Sequence, residues 1–300
     1  MTEKKLSQAV AMAIAGIALT AGTVTDALAT NTTMYNTYNA GAAPGAGGTD
    51  GWTHQNGTTN TGTLQDWVGT PGAGGADPRP FGYQGAAALS WAAEFSSNGA
   101  LTISAADSTK YGITADIDTA KGAWQDAAAT PVGWRHQLDF GLIKADTDLT
   151  ITLTPSVVGN AFAPNFGISI YTGIDTSATW SHHGSWHSGY VAGDTSAANL
   201  AKVNGNNPLG TSGLVFDTFI DSSGLGPYGG HTLTFNAKAG QVYTVILGGR
   251  DGGNSWSTPV AGYQLDIGAV PEPTTISLFG IAMAGMAATR RRKIKVSQAA

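Results

Sequence analysis

Three of the six histidines share one short stretch, Trp180-Ser181-His182-His183-Gly184-Ser185-Trp186-His187. Adjacent side chains point to opposite faces of a strand, and Gly184 and Gly189 disfavour a helix. The stretch therefore reads as a loop in which two of the three imidazoles can converge. Neutral imidazole is the commonest metal ligand and suits copper or zinc. A fourth histidine has a different setting. In Gly133-Trp134-Arg135-His136-Gln137-Leu138-Asp139-Phe140 the alternation predicts a strand with Trp134, His136, Leu138 and Phe140 on one face. His136 is then either a hydrogen-bonded core histidine or a metal ligand held on a rigid element beside an indole ring.

The donor set is narrow. The chain has no Cys, and Met34 is the only Met outside the two ends. Disulfides, zinc ribbons, iron–sulfur clusters and Met-rich copper sites are excluded, and any metal site is nitrogen/oxygen in character. Asp116-Ile117-Asp118 and Asp146-Thr147-Asp148 offer paired carboxylates, but neither continues as a calcium loop, and both read as solvated turn acids. The chain has no Gly-x-Ser-x-Gly, no His-Glu-x-x-His and no phosphate loop. Glu94 is the only Glu of the body, so a Glu pair for glycoside hydrolysis is unavailable. The expected protein is not an enzyme.

The elements that must position these residues are β-strands. Leu101–Ile103, Leu149–Thr154 and Phe166–Ile170 alternate, and Tyr111–Ile117, Leu214–Ile220, Leu233–Phe235, Val242–Leu247 and Tyr263–Ile267 are further candidates. Thr119–Ala129 has room for a short helical turn. Gly accounts for 42 residues and clusters in Ala40–Gly48 and Gly69–Asp77. Short strands with glycine-rich turns predict one all-β domain, a β-sandwich with a loosely jelly-roll-like last third and long Gly-rich loops, over residues 30–269.

The two ends read as addresses. Lys4 and Lys5, an uncharged apolar stretch and Ala27-Leu28-Ala29 form a signal peptide over residues 1–29, with Ala27 and Ala29 flanking Leu28 in the small–x–small cleavage pattern of signal peptidase. At the other end, residues 270–300 hold Pro271-Glu272-Pro273, the uncharged stretch Thr274–Thr289 and the cluster Arg290-Arg291-Arg292-Lys293. As a helix that stretch is about 24 Å long, a short membrane span with the basic cluster on the cytoplasmic side. Between the ends stand eight basic and 17 acidic residues, a balance of −9, which argues against a nucleic-acid partner.

Pro271, Glu272 and Pro273, then the short span, then Arg290, Arg291 and Arg292 resemble the PEP-CTERM sorting signal. The resemblance implies recognition by an exosortase, processing near Pro271–Pro273, and release or display at the outer surface after transient anchoring in the inner membrane. The body resembles a second group on short segments: Thr37–Asn39 with Gly51-Trp52, Arg79–Tyr83, Asp116–Trp124, Gly141–Lys144 and Ser181–Trp186. These are similar to the copper-repressible, surface-associated copper-binding proteins of methane-oxidising bacteria, the MopE/CorA type. That resemblance implies copper held by histidines and an oxidised tryptophan. Trp134-Arg135-His136 fits the family's Trp-x-His pair, and His182, His183 or His187 stands where a later ligand is expected; the family's His-x-His form is absent. Exported proteins sorted in this way are also expected to associate with extracellular polysaccharide, which gives the alternative reading: a metal-free matrix or carbohydrate-binding protein.

Overall fold

Alternation of apolar and polar residues builds two facing sheets. The computed structural model describes residues 30–44, 66–70, 79–85, 87–124, 137–159, 166–176, 215–221, 232–250 and 258–272. Met1–Thr30 separate as a unit of their own, of which only Thr30 is described, and the described residues from Asn31 onward belong to a second unit. In chain order its elements are β1 (Thr32–Asn36), β2 (Trp67–Val68), a 3-10 turn Pro80–Gly82, β3 (Trp91–Phe95), β4 (Gly99–Ser104), α1 (Ala105–Ser108), a 3-10 turn Thr109–Tyr111, β5 (Asp118–Ala120), β6 (Asp139–Ala145), β7 (Leu149–Val158), β8 (Phe166–Thr172), β9 (Val215–Asp221), β10 (Leu233–Ala237), β11 (Val242–Gly249) and β12 (Val260–Pro271).

The seven-stranded sheet has the order β2-β1-β3-β6-β11-β8-β9; the five-stranded sheet has the order β10-β7-β12-β4, with β5 paired to β12. The β3–β6 pair is parallel, with Trp91 opposite Gly141, and the other described pairs are antiparallel. The expected all-β sandwich is present.

Between the sheets lies the main core. β7 turns Leu149, Ile151 and Leu153 inward, where Phe235, Leu265 and Ile267 of the same sheet join Trp91, Ile143, Ile168, Val245 and Leu247 of the other. A second apolar cluster covers the far face of the seven-stranded sheet: Ala92, Phe140, Leu142, Tyr171 and Ile246 lie under Tyr83, Leu89 and Trp124 from connecting segments. Burial on both faces explains why β3, Trp-Ala-Ala-Glu-Phe, shows no clean alternation.

A tryptophan lies over glycine on each face. A Cβ at Gly141 would sit 2.2 Å from Cζ2 of Trp91 on the inner side. On the outer side Gly167 and Gly248, paired across β8 and β11, form the floor beneath Trp124; a Cβ at Gly167 would lie 2.1 Å from Cδ2 of that indole. No other residue type leaves room for either ring.

Two expected elements differ. Tyr111–Ile117 is not a strand. Ser108 Oγ donates to the Ala105 carbonyl at 2.7 Å and accepts from the Ala115 amide at 2.8 Å, while Gly112 takes φ 79. These local bonds satisfy the backbone as a compact loop. Within Thr119–Ala129, residues 118–120 form β5 and 121–124 a turn; 125–129 lie outside the described residues.

Candidate functional site

Residue 137 is where the expected histidine-bearing strand breaks. β6 begins at Asp139, and Gln137 has φ 56, a left-handed conformation no strand contains. The alternation predicted for Gly133–Phe140 therefore does not extend back through Gln137, although Leu138 and Phe140 do share the outer cluster. The reason is local. The Gln137 carbonyl accepts both from the Ala120 amide (3.1 Å) and from Thr119 Oγ1 (2.8 Å), which folds the chain toward β5. Thr119 Oγ1 in turn accepts from the Gly249 amide at 3.0 Å.

The segment carrying Trp134 and His136 is thus anchored at both ends. At one end Trp124 is buried on its glycine floor, with its amide bonded to the Gly249 carbonyl at 2.9 Å and Nε1 donating to Ser169 Oγ at 3.1 Å. At the other end is Gln137. Trp134, His136, His182, His183 and His187 themselves lie outside the described residues, as do Ala27, Ala29, Pro273, Arg290, Arg291, Arg292 and the stretch Thr274–Thr289. Among the described residues no three His, Cys, Asp or Glu side chains gather as a metal site, and no helix is long and apolar enough to cross a membrane.

The second histidine segment starts elsewhere. It follows β8, which runs from Gly167 beneath Trp124 to Thr172, roughly 16–17 Å further along at about 3.3 Å per residue. There the chain turns at Gly173 (φ 109), Ile174 packs on the outer cluster and Asp175 is buried beside Tyr83. A Cβ at Gly85 would lie 2.6 Å from both Asp175 Oδ2 and the Tyr83 hydroxyl. Burial, reinforced by the Asp175 charge, pushes the Tyr83 phenol well above its ordinary value, so it stays a neutral donor, to the Ala87 carbonyl at 2.7 Å. Of the described residues that flank the two histidine segments, Trp124 lies over Gly167 near the start of β8, and Gly173–Thr176 follow its end.

On the inner face a polar network crosses the sandwich. Asp139, fully buried, accepts from Ser90 Oγ (2.8 Å) and from the Tyr263 hydroxyl (2.5 Å), and that hydroxyl accepts from Trp91 Nε1 at 2.9 Å. Asp116 and Asp118 are not solvated turn acids: Asp118 is buried, and burial holds the Asp116 carboxyl above its ordinary pKa. Asp146 and Asp148 do behave as turn acids, pairing with Lys144 at 3.2 Å and Lys238 at 3.1 Å.

The described chain closes on the Pro-Glu-Pro sequence. β12 continues through Val270 and Pro271, with Pro271 opposite Leu149, and Glu272 Oε2 lies 2.7 Å from Lys238 Nζ. Residues 269–293 match the family model of the PEP-CTERM protein-sorting motif. The chain carries a PEP-CTERM sorting motif. It is an exosortase-sorted protein, exported to the cell surface or the extracellular space. The motif and the folded body overlap, since its matched residues 269–271 are strand. Sequence reading found the motif from the order of its parts but not its partners, Lys238 and Asp148, which come from two distant turns.

Among solved structures, the chain is similar to CorA, a surface-associated copper-binding protein of Methylomicrobium album BG8: 14% identity, TM-score 0.32, covering 61% of this chain and 98% of that one. It is also similar to MopE, a secreted protein of Methylococcus capsulatus in which an oxidised tryptophan facilitates copper binding: 11% identity, TM-score 0.29, covering 59% and 86%. No curated protein matches the chain in sequence.

Proposed function

We propose that the exported body is a non-catalytic copper-binding protein. Its site is built from His136 and one or two of His182, His183 and His187, with Trp134 alongside. The observation that supports this reading is the anchoring of the residue next to His136. Two hydrogen bonds to the Gln137 carbonyl hold the chain at β5, and the next residue, Leu138, packs in the same outer cluster that Ile174 joins after β8. From Thr176, His182 is six residues away and His187 eleven, so fully extended chain spans about 20 Å to the first and about 36 Å to the second. The donors are nitrogen and oxygen, because Met34 is buried in the outer cluster and no Cys exists. Copper bound there would be held by neutral imidazoles, and Cu(II) would lack the intense blue band of a thiolate site. Affinity falls as pH drops through about 6.5, the ordinary histidine value. The test is copper titration of His136→Ala beside wild type, with circular dichroism to verify folding. Lost or weakened binding by the folded variant supports the site; equal affinity overturns it.

One observation favours association with polysaccharide instead. The exposed face of β7 and β10 is an uncharged ladder: Thr150 with Asn236, Thr152 with Thr234 and Thr154 with Thr232, at 3.1–3.3 Å. Saturable polysaccharide binding by metal-free His136→Ala protein, lost when Thr152 and Thr234 become lysine in a folded variant, decides for this reading. Removal of residues 1–29 by signal peptidase and transient passage of Thr274–Thr289 through the membrane complete the proposal. Intact mass of the mature protein reports both ends.

A further inference from the structure

The sorting motif begins inside the sheet, and its fastening there is built from two other parts of the body. β4 accompanies β12 only as far as the pair Gly99–Ala269; Val270 and Pro271 are paired to β7 alone. Pro271 brings no amide hydrogen to the ladder, and the Glu272 amide reaches the Asp148 carbonyl only at 3.4 Å. The backbone therefore fastens the motif weakly. The side chain does more. Glu272 Oε2 lies 2.7 Å from Lys238 Nζ, and the same ammonium lies 3.1 Å from Asp148 Oδ2. Asp148 is set in place by the Ala239 amide, which donates to its Oδ1 at 2.9 Å. The turn after β10 and the turn before β7 thus form a clasp on the glutamate. Its second oxygen, Oε1, is shut off from solvent with no hydrogen-bond partner among the described residues.

We propose that Lys238, positioned by Asp148, restrains processing of the sorting motif by holding Glu272 against the folded body, so that the exosortase reads the motif only after this end of β12 has peeled away. The proposal rests on the sorting reading and adds a control element to it. An extended peptide is recognised through its backbone hydrogen-bonding groups and its side chains, which must be free to meet the partner. Here the central glutamate of Pro-Glu-Pro is already engaged by a cation of the substrate's own body. Lys238 and Asp148 are each about half exposed, at 57% and 50%, whereas Glu272 is 21% exposed. The clasp is therefore a modest, salt-sensitive restraint and not a lock.

The experiment follows processing by intact mass in an exosortase-bearing host, and in detergent-solubilised membranes of that host at low and high salt. Lys238→Ala is expected to be processed roughly two- to five-fold faster than wild type. Lys238→Arg keeps the wild-type rate, and thermal unfolding of both variants stays close to wild type. High salt speeds the wild type and leaves Lys238→Ala unchanged. A Lys238→Ala rate equal to or below wild type overturns the proposal. If that variant folds poorly, the salt response of the wild type decides alone: acceleration supports the clasp and its absence overturns it. Glu272→Ala in the same host separates the two readings. If it is processed like wild type, the sorting reading itself fails, whereas arrested processing leaves that reading intact whatever Lys238 does.

Discussion

The hydroxyl of Tyr263 joins the two sheets through polar groups at the centre of an apolar core, and its removal should be costly. Tyr263→Phe deletes one oxygen and leaves the ring, so little cavity forms. What is lost is the donor at 2.5 Å to Asp139 Oδ2 and the acceptor at 2.9 Å from Trp91 Nε1. A hydrogen bond contributes about 0.5–1.5 kcal/mol between neutral groups and about 1.5–3 kcal/mol to a charged one, and a buried N–H deprived of its acceptor costs about 1–3 kcal/mol. The two overlap, because Trp91 and Asp139 are bridged by the same oxygen, so we expect a loss of about 2–4 kcal/mol. At roughly 2–4 °C per kcal/mol for a domain of this size, the midpoint falls by about 4–16 °C. Urea unfolding monitored by tryptophan fluorescence measures the free-energy difference, and thermal unfolding the midpoint. Tyr38→Phe serves as the control, since Tyr38 is half-buried outside both apolar clusters and should change little. A Tyr263→Phe variant within about 0.5 kcal/mol of wild type, the range of an ordinary surface substitution, refutes the reasoning.

Gly141→Ala drives a methyl group into the Trp91 ring in a central strand, so overpacking should cost at least about 1–3 kcal/mol, with an altered near-ultraviolet circular dichroism spectrum. Gly167→Ala should displace Trp124 from Ser169 on the other face, and a tryptophan emission shift in the folded variant reports it. Burial would raise the pKa of Asp107, but hydrogen bonds from Thr33, Lys110 and Tyr35 outweigh it and hold the carboxyl below its ordinary value. Its stabilising contribution is then complete above the unfolded value of about 4 and is lost as pH falls through the lower folded value. Stability measured from pH 5 downward should therefore decline less steeply in Asp107→Asn than in wild type.

The legible part of the fold was the part with one wet face. Leu149, Ile151 and Leu153 alternate with threonines because β7 has core on one side and water on the other, and β10 and β12 carry the same one-sided pattern. β12 proved longer than Tyr263–Ile267 because Val260–Gly262 pair with β5 and Ala269–Pro271 with β7, partners that no local pattern names. The outer cluster was not legible, since a sheet buried on both faces loses its period. The left turn at Gln137 depends on Thr119, distant in sequence, and alternation alone carries no trace of it. Residue types name the candidate nitrogen donors, but the placement of the described residues that flank them, Trp124 and Gly173–Thr176, along β8 is a property of strand order. The clasp on Glu272 joins Asp148 and Lys238 across 90 residues, and as surface charges neither announces a partner.

The position of β12 also governs the order of assembly. It lies in the middle of its sheet, between β7 and β4, yet it is the last strand among the described residues, and the sorting motif begins within it. Thr102 meets Asp266 across 164 residues of chain. During export from the N-terminus, β4 and β7 emerge early and stand as open edges until β12 clears the membrane. Such long-range pairing closes slowly, and open edges are templates for pairing with other chains. The hazardous interval for this protein is thus set by how fast its final strand is delivered, and a chain that stalls just short of Val260 is left with two unfilled edges at the heart of the sandwich.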